Sequence, residues 1–445
     1  MSNSHRLVSE LQASKQPLTV GMTARMQVGS PAMTAVVSPV FNSEAEIFDI
    51  VIVGGGLSGL ALAAELASPE FSQVKVLVLE QRQRYVRDRT WSYWKTSANT
   101  PHRYSHLERQ CWSKWHVRQG AHNLLRTPRT VVSDGKAASY GSLDANAFYS
   151  AALQAIAQST NVELRLGTSA QQIVAGDSPR VITGEGRVIA ATWVFDARPP
   201  VQNSPSGLVQ QFLGYEVKTD RDVFDVTAID LMHFYPSSSG LHFFYVLPYG
   251  PRNALVETTW ISPASFKPDF EPELRQYLAA LLGSAAYEVV YTERGSLNLG
   301  SGPGDITAPN ATKVLPLGRG AGTLRASTGY AFLETLAHAE RIAASLKQHV
   351  GNRHLADWTP PAFSRPALDQ WMDSVFLTKL ARDWSTSSGY FMQMFERVDA
   401  DTLVAFLSGR ASLRQRFLVA IGLPILPFLA HLASMAFSKL RQALR

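Results

Sequence analysis

Gly54, Gly56 and Gly59, directly behind the β-branched run Ile50, Val51, Ile52 and Val53, have the types and spacing to hold a phosphate. Gly54 can make a tight turn and Gly56 lets an anion come close to the backbone. Gly59 permits close helix-to-strand packing, while the free amides of a helix opening at Leu57 and Ser58 face the anion. About 20 residues on, after a second apolar run over 74–79, Glu80 stands where a carboxylate accepts hydrogen bonds from a ribose. A glycine pattern alone is a weak signal that a plain βα turn also carries. Flanked by strand, helix, strand and terminal acid, it points to an adenine dinucleotide.

Four further places carry candidate chemistry. Residues 81–94 crowd Arg82, Arg84, Arg87 and Arg89 among Tyr85, Trp91, Tyr93 and Trp94. Guanidinium groups pair with phosphate and aromatic rings stack on planar systems, so this run suits a cover over the cofactor; an exposed basic loop is the plainer alternative. Asp196 ends a hydrophobic strand and precedes Ala197, Arg198 and Pro199, so it either meets the dinucleotide or caps a turn. Gly318, Gly320 and Gly322, then Thr328, Gly329 and Tyr330 ahead of a helix through Leu336, Ala339 and Ile342, offer a second helix N-terminus to phosphate or flavin. The last is Glu257, which shares one face of a strand with Leu255 and Thr259. In aromatic surroundings such a carboxylate either pairs with an arginine or is desolvated. Desolvation raises its pKa and would leave it protonated near neutrality as a general acid. From the residues alone the structural role is the simpler reading.

The elements that must position these residues form an α/β (α+β) fold. A Rossmann-like dinucleotide-binding domain is expected over 47–205, with a return segment over 306–350. Between them, over 206–305, strand-like runs at 211–218, 226–234, 241–247 and 254–261 follow one another without helices, as in an inserted antiparallel sheet. Phe234, Tyr235, Phe243, Phe244, Tyr245, Tyr249 and Trp260 make that sheet a floor for a long apolar ligand, although aromatics more often fill a core. Residues 143–157 read as an amphipathic helix, 162–166 as a strand and 174–190 as a meander, whereas 117–132 is irregular. The region 351–445 is helical, with Trp371, Val375, Phe376, Tyr390, Phe391, Met394 and Phe395 at core-like spacing.

With 445 residues, 45% of them hydrophobic, the chain can bury a large core, and its charge of +6 suits an anionic cofactor or an acidic membrane surface. No basic stripe is interleaved with aromatics, which sets nucleic acid aside. A single cysteine, Cys111, excludes an intrachain disulfide and a cysteine metal cluster; it reads as a packing residue, and no metal site is expected. Residues 1–46 read as a tail, either plain, an organelle-targeting segment or a start-site artefact. Residues 417–437 are almost wholly apolar, interrupted by Pro424, Pro427 and His431 and flanked by Arg414, Arg416, Lys439 and Arg441. Two prolines and a cationic rim suit a helix pair lying in a membrane interface, with a buried core helix as the alternative.

Taken together, the turn at Gly54, the Arg89-Thr90-Trp91-Ser92 segment, Phe195-Asp196-Ala197-Arg198, Leu255-Val256-Glu257-Thr258-Thr259, and Gly318 to Gly322 with Thr328-Gly329-Tyr330 resemble the flavin-dependent lycopene cyclase family in its bacterial form. The resemblance runs over residues 48–426. It implies a hydroxylase-type flavoprotein fold, FAD used in its reduced form, NAD(P)H as the electron donor, and ring closure at the ends of lycopene without net redox change. It also implies that Glu257 is the essential acid or base, while the apolar stretch 417–437 leads to the expectation of a peripheral or monotopic protein at the cytoplasmic face of a membrane. Related hydroxylases commonly carry an aspartate where this chain has Arg319, which counts against a hydroxylase. Another flavoprotein oxidoreductase or monooxygenase of the same fold, acting on an isoprenoid or aromatic substrate, is the main rival. A non-catalytic carotenoid- or flavin-binding protein is the third reading.

Overall fold

The computed structural model describes residues 46–97, 101–120, 129–200, 207–299, 313–350 and 355–431. The expected tail lies outside the described residues, except that Glu46 already belongs to the first strand.

Strand β1 (Glu46–Val53) is fully buried over its last four residues and turns into helix α1 (Leu57–Leu66), followed by β2 (Val76–Leu79). Strands β3 (Thr90–Lys95), β4 (Gln110–Trp112), β5 (Lys114–Gln119), β6 (Arg129–Asp134) and β7 (Ser139–Asp144) come next. They lead into α2 (Ala145–Gln158), β8 (Val162–Arg165), β9 (Ala170–Val174), β10 (Arg180–Thr183) and β11 (Val188–Asp196). The middle of the chain is β12 (Leu208–Thr219), β13 (Ala228–Tyr235), β14 (Leu241–Gly250), β15 (Asn253–Pro263), α3 (Phe270–Leu282) and β16 (Tyr287–Asn298). It returns through β17 (Val314–Pro316) and α4 (Phe332–Lys347) to the helices α5 (Ala367–Leu380), α6 (Trp384–Arg397), α7 (Ala400–Leu407) and α8 (Leu413–Gly422).

The first sheet has the order β8-β2-β1-β11-β10-β9, with β17 added to β11. Strands β8, β2, β1, β11 and β17 pair in parallel, whereas β9 and β10 form the antiparallel meander. Alternation along β1 sends Ile50 and Ile52 into one core with residues of α1, α2 and α4, and Val51 and Val53 into another on the opposite face. Each such fully buried branched side chain contributes about 1.5–3 kcal/mol. The glycine turn is therefore anchored from behind.

The second sheet runs β16-β12-β15-β14-β13-β5-β6. Its β12, β13, β14 and β15 are the four expected strand runs, but it recruits more. Residues 117–132 are not irregular throughout: β5 lies parallel to β13 and pairs antiparallel with β6, which forms the sheet edge. Trp115 and Val117 are fully buried on the inward face of β5, which the gap between short strands hid from periodicity. Among the described residues no helix falls between β12 and β15, as expected; helix α3 follows β15 and precedes β16. Thr90, Trp91, Ser92, Tyr93 and Trp94, read as loop cover, form β3, which pairs with β7 in a third, three-stranded sheet.

Two packing expectations are corrected. Cys111 is exposed, because β4 turns Trp112 inward and its neighbour outward. Trp371 is 52% exposed beside exposed Leu368 on the outer side of α5, whereas Tyr390, Phe391, Met394 and Phe395 of α6 are buried as their spacing implies. Beyond α8 the chain breaks at Leu423 and Pro424, and the helix Ile425–His431, which contains Pro427, departs at 100° to it. No single helix among the described residues is long and apolar enough to cross a membrane.

Candidate active site

Parallel pairing of β1, β11 and β17 brings their carboxyl ends to one side, where ligands bind in open α/β sheets. The turn after β1 therefore meets the chain after β11 and the turn after β17. Gly54 has φ +101°, and a Cβ there would lie 3.4 Å from the Ala197 carbonyl carbon. At Gly59 a Cβ would stand only 1.9 Å from the Gly54 carbonyl oxygen, so helix and turn are in contact through the missing side chain. Gly318, at φ +57°, presses on Ser58: a Cβ would be 2.6 Å from the Ser58 Oγ.

A cavity of about 850 Å³ opens from these turns. Gly54, Gly56, Leu57, Ser58, Glu80, Arg89, Gly318, Thr328, Gly329 and Tyr330 line it, while Gly59, Asp196 and Gly320 do not. It continues past Leu241, Phe243 and Leu247 of the second sheet to Phe391, Met394 and Phe395 of α6. The two halves of the chain thus share one chamber, with polar walls at the turns and apolar walls beyond.

The turn end suits a dinucleotide. Helix α1 has no side-chain cap, and nothing lies within 4 Å of a Cβ placed on Gly56, so its first amides stand uncovered toward the cavity. Burial and the nearby Arg89 pull the Arg319 guanidinium below its ordinary value, so an anion between these arginines would relieve both costs. Glu80 is buried at the wall, its Oε2 accepting from the Gly55 amide at 2.7 Å and its Oε1 from the Arg82 amide at 2.8 Å. Burial raises its pKa, but the bonds and charge of Arg82 more than offset this and keep it low. Arg82, which also donates to the Gly55 carbonyl at 2.9 Å, was passed over individually among its neighbouring arginines. Asp196 is instead committed to Arg198, bonding its amide at 3.1 Å and its guanidinium at 2.8 Å, which is the turn-capping reading.

Tyr330 donates to the Tyr140 hydroxyl at 3.3 Å, and burial pushes its own pKa up to about 12. Gly329, at φ +74°, has Gln210 Oε1 2.8 Å from where a Cβ would be. This turn is tied to the C-terminal helices by Arg325, whose ion pair with Asp373 of α5 is 3.1 Å long and almost wholly buried.

Glu257 sits on β15 among residues buried on both faces and is itself 2% exposed. Its Oε1 accepts from the Thr259 hydroxyl at 2.7 Å, while its Oε2 has no hydrogen-bond partner among the described residues. Burial, reinforced by the nearby Glu293 carboxylate, pushes its pKa well above the ordinary value, against the Thr259 bond and the nearby Tyr245 hydroxyl. Of the two alternatives for this carboxyl, the structure has the desolvated one. Glu293 also lines the cavity and is 3% exposed, with Oε2 accepting from Thr90 Oγ1 at 2.9 Å and the Tyr291 hydroxyl at 3.1 Å. Sequence reading missed it. Its only local signal is an acid on a strand, and nothing in the order of residues sets β16 two strands away from β15.

A family profile described as lycopene cyclase protein matches residues 49–433. The chain is 24% identical over 395 residues to a lycopene beta-cyclase of Pantoea ananas, covering 86% of this chain and 97% of that protein. It is 26% identical over 399 residues to one from a Paracoccus species, covering 85% and 95%. Among solved structures, a flavin-dependent brominase is similar with a TM-score of 0.53 at 12% identity, covering 89% of this chain and 100% of that one. A geranylgeranyl bacteriochlorophyll reductase-like protein from Thermoplasma acidophilum is similar at 0.51 and 13% identity, covering 84% and 96%. These similarities show the fold to be that of the flavin-dependent hydroxylase and halogenase type.

Proposed function

Because the chain belongs to the lycopene cyclase family, an enzyme family, we propose that it closes the acyclic ends of lycopene to β-ionone rings by acid–base chemistry without net redox change. The observation that carries this reading is Glu257: a buried carboxyl, held neutral, with one unpartnered oxygen on a cavity that is apolar on the α6 side. A hydrocarbon substrate offers only alkene electrons to react with. Its activation near neutral pH needs a donor that still carries its proton and is kept dry, and a carboxyl whose proton affinity is raised by burial beside an apolar wall meets that need.

The residues divide the work as follows. Leu241, Phe243, Leu247, Phe391 and Phe395 hold the chain end and exclude water. Glu257 gives its proton to the terminal double bond, the resulting cation is captured by the neighbouring double bond, and loss of a ring proton leaves the β-ionone ring. Tyr140, Tyr245 and Tyr330, whose hydroxyls burial keeps protonated, face the charge with aromatic π-electrons. Gly54, Gly56, Leu57 and Ser58 with Arg89, Arg319 and the turn at Thr328, Gly329 and Tyr330 would hold FAD. When bound in its reduced form, with NAD(P)H as electron source, FAD would supply negative charge that stabilises the cation electrostatically.

A membrane surface is the proposed source of the carotene, with the protein peripheral or monotopic on the cytoplasmic face. Leu413 and Phe417 of α8 and Leu426 and Leu429 of the next helix are 56–80% exposed, an arrangement suited to lying in a lipid interface. The test of the function is expression in lycopene-accumulating cells with pigments read by chromatography, beside Glu257→Gln. Ringed carotenes that vanish in the variant are expected; unchanged lycopene with folded, flavin-loaded protein would overturn the reading.

A further inference from the structure

Cyclisation puts one proton on the substrate and takes another off, and a single carboxyl that has just given its proton is poorly placed to do both from one position. The second sheet supplies a second carboxyl. Across it, Gly214 of β12 is directly opposite Glu257 on β15 and directly opposite Glu293 on β16. Residues opposite one another in a ladder share a face, so both acids rise from the same side of the sheet. Between them stands the one residue without a side chain. A Cβ at Gly214 would lie 3.3 Å from Glu257 Oε2 and 3.2 Å from Glu293 Cγ, so the space above this glycine is where the two side chains converge. The oxygen of Glu257 that faces it is the unpartnered one.

We infer that Glu293 is the base that removes the ring proton, and that the pair resets by passing this proton over Gly214 from Glu293 to Glu257; the inference rests on the cyclase reading. Each bond is accounted for. The Glu257 O–H breaks and a C–H forms at the terminal alkene carbon. The second alkene's electron pair closes the ring, then a ring C–H breaks, its electrons become the ring double bond, and the proton goes to the Glu293 carboxylate. Transfer of that proton to Glu257 restores the starting state with no oxidant or reductant consumed.

The surroundings divide the roles. Glu293 has two hydroxyl donors, from Thr90 and Tyr291, and Arg87 nearby to favour its ionised form, against Asp144. Tyr245 and Tyr249 also face its charge. Burial raises Glu293, but these groups leave it at about 7, while Glu257 is pushed well above its ordinary value by burial and by that same Glu293 charge. Two carboxyls whose environments push their proton affinities apart are an acid and a base.

The experiment compares wild type, Glu257→Gln, Glu293→Gln and Glu293→Asp as full chains, with flavin content and melting temperature read first. In Glu293→Gln, ring formation is expected to fall by about 10²–10⁴-fold. Its residual products should include alcohols from water capture or rings with a displaced double bond, and the rise of rate with pH around 7 should disappear. Glu293→Asp should make the wild-type ring more slowly. Wild-type rate, product and pH profile in either folded variant would overturn the inference, and Glu293→Asp decides it alone should Glu293→Gln not fold. Infrared titration without substrate separates the two claims: a carboxyl ionising near pH 7 in wild type and missing from Glu293→Gln establishes the pair even if wild type leaves lycopene unchanged.

Discussion

Glu257 and Glu293 lie on strands two apart in the sheet yet meet over Gly214, the residue opposite each of them on the strand between. Both keep their protons to a higher pH in the folded protein than the ordinary carboxyl value of 4.5. Folding therefore takes up protons above that pH, and stability falls as pH rises from 4.5 through about 7. Glu257→Gln removes part of this cost. The variant is expected to melt on the order of 2 °C higher per kcal/mol relieved at about pH 8 and to match wild type near pH 4, while losing ring formation. Calorimetry at the two pH values checks it; a variant destabilised at both would mean that Glu257 is held as a charged group.

Gly59→Ala brings a methyl to within 1.9 Å of the Gly54 carbonyl oxygen, and that atom is backbone in a glycine turn. Helix α1 must move away from β1. We expect a loss of about 1–3 kcal/mol in stability together with loss of bound flavin. Melting temperature and the visible flavin spectrum measure the two effects, and unchanged flavin binding would show that α1 does not set the cofactor turn.

The Arg325–Asp373 pair is 3.1 Å long, nearly inaccessible, and shares Asp373 with the Ser327 hydroxyl at 2.7 Å. Arg325 also bonds the Tyr330 carbonyl through its amide at 2.9 Å. Asp373→Ala leaves a buried guanidinium without its acid and should cost about 3–5 kcal/mol. Because the same arginine holds the Tyr330 turn, flavin affinity should weaken too. Denaturant unfolding and flavin titration test the coupling between α5 and the cofactor end.

Phe417 is 64% and Leu426 80% exposed, so aspartate at either position removes apolar surface without opening the core. Stability should change by no more than about 0.5 kcal/mol. If this face lies on lipid, the double variant should no longer float with anionic vesicles, and equal flotation of variant and wild type would remove the helix pair from the membrane contact.

The order of residues by itself determined the local units. A β-branched run, three glycines at fixed spacing and an apolar helix face leave little choice but β1, its turn and α1, because the backbone freedom of glycine and a two- or 3.6-residue period act over neighbours. The motif Leu255-Val256-Glu257-Thr258-Thr259 likewise marked a strand bearing a carboxyl. Tertiary structure decided everything that depends on register and burial. Glu257 was legible as an acid but not as one with a raised proton affinity, since that rise comes from burial and from the Glu293 carboxylate, neither of which its sequence neighbours supply. The pairing of β12 with both β15 and β16 places Glu293 beside it across 36 residues, and the same assembly draws β5 and β6 into the sheet. These relationships come from long-range ladder hydrogen bonds and shared cores, which leave no periodic trace in the segments they join.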